Sequence, residues 1–181
     1  KSGSLYAHMP VTVVWGIKAS DNGDYLDPED KGSLVYDESF NIAKPESQVW
    51  LMNFCGRLRN QTFYFPTPGL HVEACFIETF KKWMDSMDCI DPYTGADLTP
   101  CCKASTFPYP ASVFNMCLKD GISQLYRTYP TYFQKWKPGP RFSSLEHNRV
   151  VAAIVEFDST FTFSYSYDEM YKFVSVVQEW V

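Results

Sequence analysis

The chain lacks any run approaching the roughly 20 apolar residues that a bilayer-spanning helix needs. No signal-peptide pattern opens it. It also lacks an excess of basic charge: 16 Lys and Arg stand against 21 Asp and Glu, a formal net charge of −5. Without a basic stripe interleaved with aromatics there is no electrostatic case for nucleic acid, and acidic membrane surfaces are disfavoured. Catalytic signatures are missing as well. GxSxG, HExxH, a P-loop and GxGxxG are all absent. No CxxC pair occurs, and His8, His71 and His147 stand at no ligand spacing from a cysteine, so neither zinc nor any other cofactor is called for. Glu156 and Asp158 are paired carboxylates, but they read more simply as the wet face of a strand. A non-enzyme is expected.

What is present suits one domain over residues 1–181, since a chain of this length that is 45% hydrophobic can bury one good core. Six cysteines, Cys55, Cys75, Cys89, Cys101, Cys102 and Cys117, form an even set that fits disulfides in an oxidising compartment. Their connectivity stays open. Neighbouring cysteines do not bridge each other comfortably, so at least one of Cys101 and Cys102 is expected to reach back to Cys75 or Cys89. Such staples would hold the long loop from Cys89 to Tyr109. Asn60-Gln61-Thr62 is a glycosylation sequon, which with the cysteines gives an extracellular or lumenal address. The amphipathic pattern still running at Gln178–Val181 leads us to expect a segment of a larger protein.

Two strands organise the reading. Val11-Thr12-Val13-Val14-Trp15-Gly16-Ile17 is β-branched and aromatic, and it stops at turn-forming residues. Its expected partner is Val150 to Phe157. From Glu156 onward, Phe157, Phe161, Phe163, Tyr165 and Tyr167 alternate with polar residues, the mark of one buried and one wet face. Helices are predicted from Pro45 to about Arg59, with Val49, Trp50, Met52, Phe54, Cys55 and Leu58 inward, and from Cys75 to Met87. A third runs from Ala111 to Tyr126, and a last from Asp168 to Val181 with Tyr171, Val174, Val177 and Trp180 inward. Gly121 interrupts the third at about 1 kcal/mol relative to alanine. The fold class is α+β, a sheet covered by helices on one face with stapled loop insertions.

Two stretches look outward. Asp21, Asp24, Asp27, Glu29, Asp30, Asp37 and Glu38 surround the single base Lys31. Counting from Asp21 does not give the ligand positions of a calcium loop. The stretch reads as a solvated loop that would attract a basic patch on a protein partner. Thr128 to Phe142 is irregular, and its Tyr132, Phe133 and Trp136 are anchor-type residues.

Several blocks carry a resemblance to a known family. Pro10-Val11-Thr12-Val13-Val14-Trp15-Gly16 followed by Asp21-Asn22-Gly23-Asp24 resembles an extracellular domain of the Dispatched family. So do Asn53-Phe54-Cys55, Leu58-Arg59-Asn60-Gln61-Thr62-Phe63, Cys75-Phe76-Ile77-Glu78-Thr79-Phe80-Lys81, Pro100-Cys101-Cys102 and Pro138-Gly139-Pro140-Arg141-Phe142. The blocks keep one order along nearly the whole chain and look like the second large extracellular domain, between the seventh and eighth membrane spans. The resemblance implies a multi-span, sterol-sensing-domain protein of the resistance–nodulation–division superfamily, related to Patched, at the plasma membrane. It implies release of cholesterol-modified Hedgehog, a ferredoxin-like porter-type core, and no catalysis. The implied partners are lipid-modified Hedgehog, a Scube-type secreted carrier, cholesterol or another lipid, and the other extracellular domain. On this reading Asp21, Asp24, Asp27, Asp30, Tyr132, Phe133 and Trp136 are the residues expected to touch the ligand. A sterol-handling relative is the alternative, and a secreted disulfide-rich enzyme a further one.

Overall fold

The computed structural model describes residues 8–20, 22–30, 32–66, 75–126, 138–145 and 148–181. Its centre is the long strand pairing between β1 (His8–Trp15) and β6 (Val150–Thr162), antiparallel with Val11 opposite Phe157 and Val13 opposite Val155. The partner expected for the first strand is therefore the one it has. β6 is flanked by β1 on one side. On the other lie β5 (Gly139–Phe142) and β4 (Tyr64–Phe65), paired to successive stretches of β6.

Only alternate residues of β1 are buried. Val11 and Val13 face inward while Pro10, Thr12 and Val14 are exposed, so the run read as a fully buried strand is an edge strand with one dry face. It also ends earlier than expected. Gly16 sits at φ +89°, where a side chain would collide with the Val151 carbonyl and the Phe40 ring. The chain then leaves the main sheet, and β2 (Ile17–Lys18) pairs with β3 (Val35–Tyr36) as a separate two-stranded ribbon. β5 is a second departure, because the stretch expected to be irregular through Phe142 ends in a strand. Pro140 is tolerated there since an edge strand needs donors on one side only.

Helix α1 (Pro45–Leu58) opens with proline at its start and Glu46 in its first turn, and carries Arg57 in its last. Its buried face is Gln48, Leu51, Phe54, Cys55 and Leu58; Val49 and Trp50, expected inward, are exposed. Gln48 is wholly buried. Its amide donates to the carbonyls of Ala43 and Tyr109, both at 2.8 Å, and its Oε1 accepts from the Tyr109 N–H at 2.9 Å. One glutamine thus satisfies three backbone groups that would otherwise be orphaned in the core.

Helices α2 (Phe76–Ser86) and α3 (Ala111–Tyr126) pack on each other. Phe76, Ile77, Phe80, Trp83 and Met84 of the first are buried, as are Phe114, Cys117, Leu118 and Ile122 of the second. Gly121 explains itself here. A Cβ at that position would stand 3.0 Å from the Trp83 ring and 3.1 Å from Phe80, so glycine allows the helices to approach. Three disulfides close this region, with Cys55 to Cys75, Cys89 to Cys102 and Cys101 to Cys117. Cys102 reaches back to Cys89, and Cys101 forward to α3. The Arg59 guanidinium grips both oxygens of Glu78, adding an ion pair between α1 and α2.

The last helix, α4 (Tyr167–Trp180), follows β6 after a short connection. β6 itself stops at Thr162, so the alternation predicted through Tyr167 is broken: Phe163 is half-exposed and Tyr165 is 90% exposed. Within α4 the inward side chains are Phe173, Val176, Val177 and Trp180, with Trp180 against Phe54 and Phe63. Tyr171 and Val174, expected in that stripe, face solvent at 61% and 50%.

Candidate functional site

Three surface features have the chemistry to meet a partner: the acidic loop, an apolar groove beside β1, and a cleft walled by two tryptophans. In the acidic loop Asp21 lies outside the described residues. The carboxylates of Asp24, Asp27 and Asp30 are exposed and engaged with the loop's own backbone. Asp24 accepts from the Leu26 N–H at 2.9 Å and Asp27 from the Glu29 N–H at 3.0 Å. Asp30 accepts from Gly32 at 2.9 Å and from Asp24 at 3.0 Å. These bonds place the Asp30 carboxyl below the usual carboxylate range, the Gly32 N–H contributing most. Asn22 bridges to Ser33 and closes the loop. The carboxylates therefore hold the loop's turns while leaving negative charge on the outside. Among the described residues no group of three or more His, Cys, Asp or Glu could hold a metal ion.

The aromatic anchors Tyr132, Phe133 and Trp136 lie outside the described residues, so they and the acidic loop are not placed relative to each other. Asn60 is exposed just past the end of α1, in a turn where its N–H bonds to the Arg57 carbonyl. Its sequon stands open to the surface.

The groove beside β1 was not foreseen. It has a volume of about 450 Å³ and lies between the outer edge of β1 and α4. The edge of β1 from Pro10 to Val14 forms its strand side, and Phe173, Val174, Val177, Gln178 and Val181 its helical wall. A second apolar face explains why α4 supports it. Tyr167, Tyr171, Val174 and Val181 recur at spacings of three, four and seven on the side away from the core. Phe163 and Tyr165, before the helix, are also exposed, and their rings meet edge to face at 5.2 Å. Helical spacing of those residues is visible in the sequence. Which of two apolar stripes would be covered is not.

The third feature, of about 510 Å³, lies where the end of β1, the segment 39–42, α1 and Ala153 of β6 meet. Trp15 and Trp50 stand perpendicular at 5.5 Å between ring centroids. Phe40 is set against Gly16, and Glu46 is the one charged side chain among the described residues that line the cleft.

Glu156 is exposed on the sheet. The Tyr109 hydroxyl is wholly buried without a partner among the described residues, and burial, with a lesser contribution from Asp85, pushes it up to about 12. It stays protonated near neutrality.

Comparison with known proteins gives a consistent answer. No family model matches the chain. Human "Protein dispatched homolog 1" is 43% identical over 174 residues, covering 96% of this chain. Human "Protein dispatched homolog 2" is 35% identical over 182 residues, also 96% of the chain. Drosophila melanogaster "Protein dispatched" is 33% identical over 199 residues, 95% of the chain. The chain spans only 11%, 12% and 16% of those relatives respectively.

Proposed function

Because the chain belongs to the Dispatched family, we propose that it is the second large extracellular domain of a Dispatched-type transporter. In that role it takes part, without catalysis, in releasing cholesterol-modified Hedgehog from producing cells. The observation that carries this reading is similarity to Dispatched relatives over 95–96% of this chain. Three disulfides and an exposed sequon support an address outside the plasma membrane. No helix among the described residues is long and apolar enough to cross a membrane. A ferredoxin-like, porter-type core is supported by the sequence of β1, α1, β4, β6 and α4, with β6 lying between β1 and β4.

Within that role the groove between β1 and α4 is the surface we assign to the lipid. It is lined chiefly by valines and Phe173, which suits a hydrocarbon that arrives and leaves. Burying apolar area there would be favourable at about 25 cal/mol per Å². The acidic loop is assigned to the protein part of the ligand, where exposed carboxylates steer a basic surface. The outer face of α4, at Tyr167 and Tyr171, is left for the other extracellular domain or a Scube-type carrier. An apolar groove suits free sterol equally well, which keeps a sterol-handling role as the second reading.

The test is release of cholesterol-modified Hedgehog from cells that lack their own Dispatched and carry the full-length protein with Val174→Asp. Loss of release at normal surface expression is the expected result. Normal release would remove the groove from the pathway. Normal release after deletion of the whole domain would remove the domain.

A further inference from the structure

The tryptophan-walled cleft differs in kind from the groove beside β1: it is walled by aromatic rings and carries a carboxylate. We propose that it is a receptor for a single arginine side chain presented by a protein partner. Trp15 and Trp50 offer two indole walls at 88° to each other, and Trp50 is 44% exposed although it sits on a helix whose inner face is otherwise well packed. One side of Trp50 is stacked with Phe54 at 5.6 Å, which fixes the ring. Phe40 supplies a third aromatic wall, held close because Gly16 has no side chain to displace it. Aromatic faces attract cations through their quadrupole, tryptophan most strongly, and guanidinium is the cation most often found there.

The charge in the cleft points the same way. Glu46 lines it, no Lys, Arg or His does among the described residues, and Glu46 makes no ion pair among those residues. A planar guanidinium can stack on indole and donate through its edge to a carboxylate at the same time, which an ammonium cannot do as well. Ser47 in the lining adds an acceptor oxygen for a further N–H group. The net charge of −5 favours approach by a basic segment. The cleft is open to one side, as a side chain projecting from another chain requires. This inference does not depend on the transporter reading.

The experiment uses the 181-residue chain and a neutral-flanked peptide, acetyl-Gly-Arg-Gly-amide, with its citrulline analogue as the uncharged isostere. Binding is followed by the indole N–H resonances of Trp15 and Trp50. Saturable shifts of both with the arginine peptide, absent with citrulline and weakened by salt, are expected. Affinity should fall about fivefold or more in Glu46→Gln and in Trp50→Ala, the scale of one exposed cation–π contact. Glu46→Gln is an exposed, nearly isosteric change, so its folding is secure, and an unaltered affinity in it would overturn the proposal. Equal shifts with citrulline, or no shift at these two indoles, would overturn it as well. Shifts caused by a detergent monomer but not by arginine would make the cleft an apolar site instead.

Discussion

The region from α1 to α3 and the region formed by β1 and α4 are built on opposite terms. The first holds all three disulfides, the buried glutamine, the Arg59–Glu78 ion pair and most of the wholly buried side chains. In the second a helix of 14 residues buries one side chain fully, Val177, and shows solvent a row of tyrosines and valines. Cross-links and wholly buried side chains are concentrated in the first region, and exposed apolar side chains of one helix in the second. A contiguous apolar face left open on a folded domain is a feature that interaction sites share. The difference therefore separates changes that should unfold the chain from changes that should leave it folded and impaired.

The largest effect should come from the staples. Replacing Cys101 and Cys117 by serine opens a loop of 16 residues and should destabilise the chain by about 3 kcal/mol, read as a lower denaturant midpoint. Gln48→Ala should cost about 2–3 kcal/mol, because it leaves buried groups of Tyr109 and Ala43 unpaired. Gly121→Ala should cost about 1 kcal/mol. Its better helix propensity is outweighed by the contacts its methyl makes with Trp83 and Phe80. If these three act equally on release and on folding, the comparison stands. If Gly121→Ala stabilises, the helices have room that the geometry denies.

The smallest effect concerns acid. The Asp30 carboxyl is depressed by the N–H groups of Gly32 and Asp24, and that of Asp37 by Ser39, chiefly its hydroxyl. A depressed carboxyl contributes order that is complete above the unfolded value of 3.8 and is lost as pH falls through the lower folded value. The amides of Asp24, Gly32 and Ser39, which donate to these carboxylates, should therefore change below pH of about 4. Asp30 is exposed and Asp37 lies at the surface beside Lys18, so a global unfolding step tied to them would contradict this.

The uneven design also explains what could be read from the chain alone. The β1–β6 pairing was legible because both strands are long apolar runs, and the four helices because their periodicity extends over several turns. β2, β3 and β4 have two residues each, too few for any period to register. Gln48 was hidden because a buried polar residue is recognised only by the backbone groups it meets, and its most distant partner is Tyr109. In α4 two apolar stripes compete, one through Phe173, Val177 and Trp180 and one through Tyr167, Tyr171 and Val174. Periodicity has no means of choosing between them. The acidic loop was read as solvated, and its carboxylates are exposed, but their work in closing turns needed the positions of the N–H groups. The Glu46 cleft is assembled from three separate stretches, and no spacing in the sequence joins them.

Direct binding decides most about the β1–α4 groove. The purified chain and its Val174→Asp variant would be titrated with cholesterol-modified and unmodified Hedgehog, after both are shown to unfold at the same midpoint. Val174 is half-exposed, so the stability change should stay within about 0.5 kcal/mol. Tighter binding of the cholesterol-modified form, with that preference abolished by Val174→Asp, is the predicted result. Equal binding of both forms, or a preference that survives Val174→Asp, would contradict it.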